Sequence, residues 1–381
     1  MHKFVFNKYE GGLYIGNEKN PYLALIKPTN RDYTNYQIHP DTRVIADSAF
    51  EDCTRLASIV IPDKVITIGR TAFQRCYQLT SVKISDSVTT IGNSVFSGCT
   101  SLTSATLGNS VTTIGKNAFA NCTALTSVSI PDGVTSVSSS AFSNCTNLTY
   151  TTHENINYLG NASNPYVVLA KVADRTSTSY TIPQTTKIIF DNAFENCKYA
   201  TSMIVPDSVT SVGASAFYKC SKLTSISIGK GVLSIGTNAF RNCSSLTAIN
   251  ISEDNTAYLS INGNLYTKDG KTLLQYALGK KDTTLIVPEG VVSIGDASLA
   301  ACKNLTSVTL PSTVTYIGIN GFNNCSNLTN VNIPLGVTTI GYNAFKSCTN
   351  LTIYCEAESK PDGWHNAWNS SNCSVVWGHK A

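Results

Sequence analysis

The chain has 381 residues, of which 42% are apolar and only 14% charged, and its formal net charge is +4. So small a positive charge, spread along the chain, argues against a nucleic-acid partner, and no apolar run approaches the roughly 18 residues that a membrane span requires. The apolar run between Met1 and Lys8 is too short for a secretory signal, so we expect any export signal or anchor to be absent from this chain.

Residues 1–38 are predicted to form an N-terminal hairpin module that caps the repeats that follow. The segment Tyr14–Tyr22, with the sequence YIGNEKNPY, leads into an apolar strand over Leu23–Lys27. Two later segments resemble this one, and their turn signals, described below, support the same interpretation for all three.

From residue 39 onward the sequence repeats every 23 residues. In each repeat a Phe, replaced once by Leu, is followed three residues later by a Cys. A fixed period of this length is typical of a solenoid, in which each unit buries its apolar face only against its neighbours. The period predicts coils 1–5 in residues 39–150, coils 6–8 in residues 182–251 and coils 9–11 in residues 287–354. The repeated pairs are Phe50/Cys53, Phe73/Cys76, Phe96/Cys99, Phe119/Cys122, Phe142/Cys145, Phe194/Cys197, Phe217/Cys220, Phe240/Cys243, Leu299/Cys302, Phe322/Cys325 and Phe345/Cys348.

One unit, Leu125–Cys145, shows how such a coil folds. Val128 and Ile130 alternate with Ser, which predicts a short strand with one face buried. Pro131–Gly133 supplies turn residues, and a second short extended segment follows. The Gly that comes next in most units suggests a tight corner. The stretch around Phe142 is predicted to be a single helical or 3₁₀ turn, so the chain is expected to be a β-rich solenoid of about eleven coils with one-turn helices.

Two insertions, residues 151–181 and residues 252–286, interrupt the period and resemble the N-terminal module. Tyr158–Tyr166 repeats the pattern of Tyr14–Tyr22. The third copy, which begins at Tyr258, contains Asn-Gly and Asp-Gly, and both are strong hairpin signals. The insertions are either structural elaborations, which the recurring tyrosines favour, or protruding elements that recognise a partner.

Residues 355–381 depart from the period and contain all three Trp of the chain. Because the end of a solenoid exposes apolar groups and strand edges, we interpret this tail as a C-terminal cap of one continuous solenoid domain. A Trp platform for carbohydrate is the alternative.

The cysteines are expected to be structural. Eleven of the thirteen occupy the repeated position, and an odd-numbered ladder cannot pair completely, so we predict free, buried thiols. Cys355 and Cys373 lie outside the period and either form a disulfide or remain free. The sequence shows no Cys-x-x-Cys, no His pair at metal-ligand spacing and no catalytic constellation, so we expect no metal, no cofactor and no enzyme activity.

The repeat resembles a known family. Ile61–Val82, with the sequence IPDKVITIGRTAFQRCYQLTSV, resembles the BspA-like, or Treponema pallidum-type, leucine-rich repeat family, and matching units cover about two thirds of the chain. The resemblance implies a leucine-rich repeat solenoid. It also implies a bacterial or protist protein, exposed on the cell surface or secreted, that binds host proteins or other cells.

These observations predict a non-enzymatic, adhesin-like protein-binding module, extracellular or at a bacterial cell surface. Its expected partner is a host extracellular-matrix or cell-surface protein, or a protein of a neighbouring cell, and it is expected to be a monomer. The alternative is an intracellular, cytoplasmic protein-interaction scaffold, which free thiols favour because the cytosol keeps thiols reduced. The candidate partner-binding residues are Lys83, Asn250 and Asn332 on outward strand positions, and Tyr166, Tyr266, Lys268 and Lys271 in the hairpin modules.

Overall fold

The computed structural model describes residues 5–380, in which every regular element is a β-strand. The chain divides into two compact units. Unit 1 comprises Met1–Ala173 and Thr185–Asp191, and unit 2 comprises Asp174–Gln184 and Asn192–Ala381. The first four residues of the predicted N-terminal module lie outside the described residues. The single continuous solenoid domain and its segment boundaries stay a prediction.

Each coil of unit 1 contributes a first strand of three residues and a second strand of two. Both pair in parallel with the equivalent strand of the next coil, so Ser104 lies opposite Ser127 and Thr113 opposite Ser136. The strands of unit 1 are β1 (Val5–Tyr9), β2 (Gly12–Gly16), β3 (Ala24–Pro28), β4 (Asn35–Gln37), β5 (Val44–Ile45), β6 (Ser58–Val60), β7 (Thr67–Ile68), β8 (Ser81–Lys83), β9 (Thr90–Ile91), β10 (Ser104–Thr106), β11 (Thr113–Ile114), β12 (Ser127–Ser129), β13 (Ser136–Val137), β14 (Thr151–His153), β15 (Ile156–Leu159), β16 (Val168–Val172) and β17 (Ile188–Ile189). Their orders are β1-β2-β3-β5-β7-β9-β11-β13, β4-β6, β8-β10-β12 and β14-β15-β16-β17.

Unit 2 repeats this organisation, with first strands of three or four residues. Ser225 lies opposite Ala248, and Tyr316 lies opposite Thr339. The strands of unit 2 are β18 (Ser202–Val205), β19 (Ser211–Val212), β20 (Ser225–Ile228), β21 (Ser234–Ile235), β22 (Ala248–Ile251), β23 (Tyr258–Ile261), β24 (Asn264–Thr267), β25 (Thr272–Gln275), β26 (Thr284–Ile286), β27 (Ser293–Ile294), β28 (Ser307–Thr309), β29 (Tyr316–Ile317), β30 (Asn330–Ile333), β31 (Thr339–Ile340), β32 (Thr352–Cys355) and β33 (Ser374–Val376). Their orders are β18-β20-β22, β19-β21, β23-β24-β25-β27-β29-β31 and β26-β28-β30-β32-β33.

The repeated Phe residues form columns of stacked rings inside the coils. In unit 1 the ring centroids of Phe50 and Phe73 lie 5.2 Å apart with a 7° angle between the ring planes. In unit 2 Phe194 and Phe217 lie 5.2 Å apart with an angle of 9°. The 23-residue period therefore places each ring on its equivalent, and each contact adds about 0.5–1.5 kcal/mol to the gain from burying the ring.

The repeated Cys residues form a second set of buried columns. All thirteen thiols are free, and the eleven of the ladder are buried. Eight ladder thiols donate a hydrogen bond, 3.0–3.2 Å long, to the carbonyl oxygen of the Phe or Leu of the preceding coil. Outside the period, Cys355 and Cys373 are free, and the Sγ atom of Cys373 donates to the carbonyl oxygen of Cys348 at 3.2 Å. Cys373 thus extends the ladder, which the spacing did not predict.

The ladder is interrupted between Cys243 and Cys302, where the sequence analysis placed the insertion over residues 252–286. The coil of the third module that lies between them has Tyr276 at the Phe position and Gly279 where the Cys would stand. A Cβ atom on Gly279 would lie 2.1 Å from the carbonyl carbon of Ser245, so no cysteine fits there. Cys243 still bonds to the coil before it, whereas the buried thiol of Cys302 donates to no carbonyl of a preceding coil among residues 5–380. Cys243 therefore ends one run of the ladder and Cys302 begins another.

The predicted one-turn helices are absent from residues 5–380. Phe119 lies between Asn117, with φ of 55°, and Asn121, with φ of 60°, and most of the other coils place left-handed residues at the same two positions. A right-handed helical turn requires negative φ throughout, so these stretches are irregular turns. The left-handed conformation directs backbone N–H groups toward the neighbouring coil, where Asn121 donates to the carbonyl of Ser143 at 2.8 Å.

The described residues form about 15 coils, whereas the sequence predicted about eleven. The difference arises partly because the third strand of each hairpin module joins the stack. β3 pairs in parallel with β5, β16 with β17 and β25 with β27, in the positions that second strands of ordinary coils occupy. The tail contributes further coils through β32 and β33.

At positions such as Gly69 and Gly236, the recurring Gly after the second strand is explained by close approach of the backbone and not by a left-handed conformation. A Cβ atom on Gly69 would lie 2.3 Å from the backbone nitrogen of Asp47, and one on Gly236 would lie 2.3 Å from that of Ala214. Neither glycine has a positive φ. Successive coils therefore pack backbone to backbone at this point.

The Trp residues of the tail form a packed cluster. Trp364 and Trp368 are buried, with ring centroids 4.8 Å apart, and Trp377 lies 5.7 Å from Trp364. The indole N–H of Trp364 donates to the carbonyl of Val337 at 3.0 Å. Because two of the three rings are buried, they do not form an open platform for carbohydrate. The role of the tail as a cap stays a prediction.

Candidate partner-binding face

In each unit the term strand face denotes the outward side chains of that unit's own first strands: β4, β6, β8, β10 and β12 in unit 1, and β18, β20, β22, β26, β28, β30 and β32 in unit 2. Most of these side chains are Ser, Thr or Asn. Three aliphatic side chains depart from this pattern, since Val60 is 60% exposed, Ile204 66% and Ile286 76%. A single exposed aliphatic side chain is ordinary on a protein surface, so its surroundings decide whether it marks a site.

Groove A surrounds Ile204 in unit 2 and has a volume of about 400 Å³. Strand register places Ile204 beside Ser227 and Ser227 beside Asn250, so an aliphatic, a hydroxyl and an amide side chain form one row across three strands. The carboxylate of Asp207 at the edge of the groove accepts the backbone N–H of Lys230 at 2.9 Å, which fixes the turn. Asn250, predicted from the sequence, and Ile204, which was not, therefore lie together.

Groove B surrounds Ile286 in unit 2 and has a volume of about 310 Å³. Tyr266 and Tyr276 from the third module contribute to its wall, and Lys280 and Asp282 lie at its edge. The ammonium group of Lys280 is 5.8 Å from the centroid of the Tyr276 ring. The groove thus combines an exposed aliphatic side chain with one charge of each sign, above two tyrosines that are almost completely buried.

The prediction that Tyr266 is a surface contact requires a correction. Its side chain is only 1% exposed and belongs to the hydrophobic core of unit 2. Burial raises the pKa of Tyr266 to about 12. The tyrosine was selected because hairpins generally protrude, but the third strand of this module joins the stack and draws β24 inward with it.

The other candidate residues lie apart from the two grooves. Lys83 is exposed on β8 in unit 1, and Asn332 is half-buried on β30 opposite Tyr354. Tyr166 is half-buried within its own module, where its ring centroid lies 5.3 Å from that of Tyr158 and 5.2 Å from that of His153. Tyr166 therefore supports its hairpin.

Lys268 and Lys271 flank the turn between β24 and β25, and both are exposed. The Nζ atom of Lys268 donates to the carbonyl of Glu253 at 3.2 Å. Asp269 holds the turn by accepting the backbone N–H of Lys271 at 3.0 Å and the hydroxyl of Thr267 at 2.7 Å. The hairpin tip is thus a small, ordered basic surface that is separate from grooves A and B.

The ladder cysteines are buried and take no part in either groove. Even Cys243 and Cys302, beside the interruption of the column, are completely or almost completely buried. The remaining members are buried as well: Cys53, Cys76, Cys99, Cys122, Cys145, Cys197, Cys220, Cys325 and Cys348. Their contribution is to the core, as the sequence predicted, and not to a surface that a partner could contact.

Aligning the repeats would have revealed Ile204 and Ile286. Equivalent positions in neighbouring strands hold Ser227 and Asn250 in one case and Thr309 and Asn332 in the other. An aliphatic residue where its equivalents are polar breaks the alternation that a half-buried strand requires. That departure was the available signal.

The described residues contain no group of three or more His, Cys, Asp or Glu side chains that could hold a metal ion. In the part of the chain that the structure describes, no helix has the length and hydropathy to cross a bilayer. The expected absence of catalysis, metal and cofactor stays a prediction.

Comparison with solved structures finds bacterial repeat proteins. A leucine rich cell surface protein from Faecalibacterium prausnitzii A2-165 is 25% identical, with 99% of this chain and 95% of that chain aligned and a TM-score of 0.44. A leucine-rich repeat protein from Eubacterium ventriosum ATCC 27560 is 24% identical over 79% of this chain and 66% of that chain, with a TM-score of 0.43. The pneumococcal vaccine antigen PcpA is 15% identical over 100% of this chain and 97% of that chain, with a TM-score of 0.29. At these TM-scores the similarities carry no argument about function.

No curated protein sequence matches the chain significantly. The match to a family is extensive: the BspA type leucine rich repeat region, in six copies, covers residues 30–163, 173–266 and 275–358. The stacked 23-residue coils and their Phe and Cys columns are the physical basis of that match, and the chain belongs to the BspA type leucine rich repeat family.

Proposed function

We propose that this chain is a non-enzymatic protein-binding module that acts as a monomer, outside the cell or at a bacterial cell surface. Its partner in this proposal is a protein of a host or a neighbouring cell, such as an extracellular-matrix or cell-surface protein. The observation that supports it is Ile204, an aliphatic side chain 66% exposed inside groove A, in one row with Ser227 and Asn250. The surface location is supported by what the family resemblance implies.

The strand face suits protein recognition because it is formed in advance. Its strands are hydrogen-bonded to their neighbours at fixed register, so little backbone entropy is lost when a partner binds. Fully burying an Ile side chain contributes about 1.5–3 kcal/mol, so Ile204 and Ile286 together provide only the free energy of a weak, roughly millimolar contact. We therefore expect polar contacts around Asn250 to provide specificity, and several copies on one surface to provide avidity.

The test is binding of the purified chain to a panel of defined host extracellular-matrix and epithelial-surface proteins. Ile204→Ser and Ile286→Ser are expected to weaken capture of a specific partner by about tenfold each. Leu335→Ser is the matched control, because Leu335 is also highly exposed but lies in a turn outside the strand face. A partner captured equally by all three variants would exclude grooves A and B as the site.

The hairpin tip is the competing site on the same chain. A double variant, Lys268→Ser with Lys271→Ser, removes its two exposed ammonium groups without altering either groove. Loss of capture in this variant alone would move the proposed site from the strand face to the third module. Light scattering of the purified chain tests the proposal that it is a monomer, and a dimer at micromolar concentration would contradict that proposal.

The second candidate is an intracellular protein-interaction scaffold, and thirteen free thiols favour it. The two functions differ in location. Surface labelling of intact cells that express the native protein distinguishes them, because a scaffold confined to the cytoplasm stays unlabelled until the cells are lysed.

A further inference from the structure

The third hairpin module contains a coil that is two residues shorter than its neighbours. Register places Leu273 opposite Ile294, the last residue of an ordinary second strand. The N–H of Tyr276 donates to the carbonyl of Ser298 at 2.8 Å, in the same way that Phe217 donates to Ala239 in a regular coil. Tyr276 therefore occupies the position of a column Phe.

Two residues separate Leu273 from Tyr276, whereas four separate Ile294 from Leu299. The missing pair corresponds to the outward part of the turn that follows the second strand. The ordinary turns on either side keep their full length, so a space opens between them.

This space, which we call the notch, has a volume of about 580 Å³ and lies wholly within unit 2. Gly236–Arg241 of coil 8 forms one wall, Gln275 of the short coil lies between, and Asp296 of coil 9 belongs to the other wall. Ile235 remains half-buried here, whereas its equivalents Ile294 and Ile317 are fully buried. The notch is therefore a real interruption of the stack.

The coil 8 wall presents hydrogen-bond donors. In coil 7 the N–H groups of Ser215 and Phe217 donate to the carbonyls of coil 8, each at 2.9 Å. The equivalent N–H groups, those of Asn238 and Phe240, have no acceptor among residues 5–380. The Nε atom of Arg241 is buried and also has no hydrogen-bond partner within the described residues.

The coil 9 wall presents acceptors. The carboxylate of Asp296 accepts the N–H of Ile319 at 2.8 Å and the hydroxyl of Tyr316 at 3.3 Å, which hold it in place. In the next coil the equivalent backbone carbonyl, that of Ile319, accepts a hydrogen bond. The backbone carbonyl of Asp296 has no donor among residues 5–380. Within the same described range, Arg241 and Asp296 form no ion pair with each other.

We propose that the notch is a binding site for a small molecule with a carboxylate at one end and amino or hydroxyl donors at the other. The carboxylate would accept hydrogen bonds from the N–H groups of Asn238 and Phe240 and from the guanidinium of Arg241, the arrangement of donors that proteins use for anions. The donor end would face Asp296. Free amino acids and sugar acids share this chemistry, and the site is independent of partner binding at grooves A and B.

The test is calorimetric titration of the full chain with L-serine and with D-glucuronate, with D-glucose as the uncharged comparison. Saturable binding of at least one acid is expected, and D-glucose is expected to show no binding. Arg241→Gln is expected to weaken it about tenfold or more, since a hydrogen bond to a charged group contributes about 1.5–3 kcal/mol. Lys346→Gln is the matched control, because Lys346 follows Phe345 as Arg241 follows Phe240 and changes the charge equally outside the notch.

Asp296→Asn distinguishes the two ligand sources. This substitution is expected to weaken the binding of L-serine more than the binding of D-glucuronate. The ammonium group of L-serine loses an ionic partner, whereas the hydroxyl groups of D-glucuronate keep a hydrogen-bond acceptor. Thermal melting of each variant shows that the fold is kept. The proposal is overturned if neither acid gives saturable binding, or if Arg241→Gln binds both acids as tightly as the unaltered chain.

Discussion

The thiol of Cys99 donates a hydrogen bond to the carbonyl oxygen of Phe73 in the preceding coil, over 3.2 Å. The same oxygen accepts the backbone N–H of Cys76, also at 3.2 Å. One buried carbonyl therefore receives a donor from its own coil and another from the next. Because a buried polar group without a partner is costly, this pair of bonds explains why a small side chain with a donor recurs at the position.

Replacing a ladder thiol should destabilise the stack by a modest amount. Cys99→Ala removes the hydrogen bond and leaves a small void, and we expect the free energy of unfolding to fall by about 1–2 kcal/mol. Urea titration followed by circular dichroism measures it. Cys373→Ala is the control. Because Cys373 is only half-buried, this substitution should lower the free energy of unfolding by less than Cys99→Ala does. An equal loss in the two variants would contradict the role assigned to burial.

Alkaline pH should destabilise the folded chain because its thiols are buried. Burial raises the pKa of Cys53 and Cys145 to about 11 and that of Cys122 to about 12, whereas an unfolded thiol titrates near 8.5. The unfolded chain therefore loses protons first, so the stabilising contribution is complete below about pH 8.5 and is lost as the pH rises toward the folded values. Buried tyrosines such as Tyr266 add to this loss of folding stability above about pH 10.

The measurement is the free energy of unfolding in urea, with a reductant present, at pH 8 and at pH 10. A lower value at pH 10 is expected. At pH 8 the folded chain should also leave its ladder thiols unlabelled by a thiol reagent, and all thirteen should react once it is unfolded. Rapid labelling of the folded chain at pH 8 would show that the column is open to solvent.

The Phe column should be the main source of stability between coils. Phe217 lies 5.2 Å from Phe194 on one side and 5.5 Å from Phe240 on the other. Phe217→Ala removes both ring contacts and leaves a cavity, so the free energy of unfolding should fall by about 3–5 kcal/mol. Leu233→Ala, at an exposed position in the same unit, should change it by less than about 0.5 kcal/mol. A small effect of Phe217→Ala would mean that the coils hold together chiefly by backbone bonds.

The left-handed positions offer a stabilising substitution. Ala301 has φ of 66°, a conformation that costs a residue with a Cβ roughly 1–2 kcal/mol, whereas glycine adopts it freely. Glycine also loses more backbone entropy on folding than alanine does. When this cost is subtracted from the relieved strain, Ala301→Gly should raise the free energy of unfolding by about 0.5–1 kcal/mol. The neighbour Ala300 is buried and does not have a positive φ, so Ala300→Gly should lower it. Thermal melting of both variants checks the opposite signs.

The candidate site was only partly predictable. Asn250 was identified as an outward strand residue, and that placement needs nothing more than the alternation of side chains along a strand. Ile204, in the same row across three strands, was missed because a strict periodic pattern draws attention to the inward positions. Tyr266 was misplaced, because the path of a hairpin depends on what its third strand pairs with, and this contact is distant in sequence.

The turn around Phe119 shows a different limit. Its local sequence, Asn-Ala-Phe followed by Ala-Asn-Cys, is compatible with a helical turn by composition. What prevents the helix is the next coil, whose carbonyls at Ala141 and Ser143 accept the N–H groups of Phe119 and Asn121. Asparagine tolerates the left-handed backbone that these bonds require, but the requirement comes from the neighbouring coil.

The sequence by itself determined the solenoid, its family and the residues that share a column. A constant period of 23 residues forces Phe73 onto Phe50, because identical units can bury their apolar faces only by stacking in register. The sequence also located the two insertions that interrupt the period, and the tertiary structure alone decided how the stack continues through the second of them. Pairing of β25 with β27 brings a coil two residues short into the stack, and the N–H of Phe240 in the coil before it has no acceptor among residues 5–380. Such contacts join segments without a common period, so their spacing in the sequence contains no record of them.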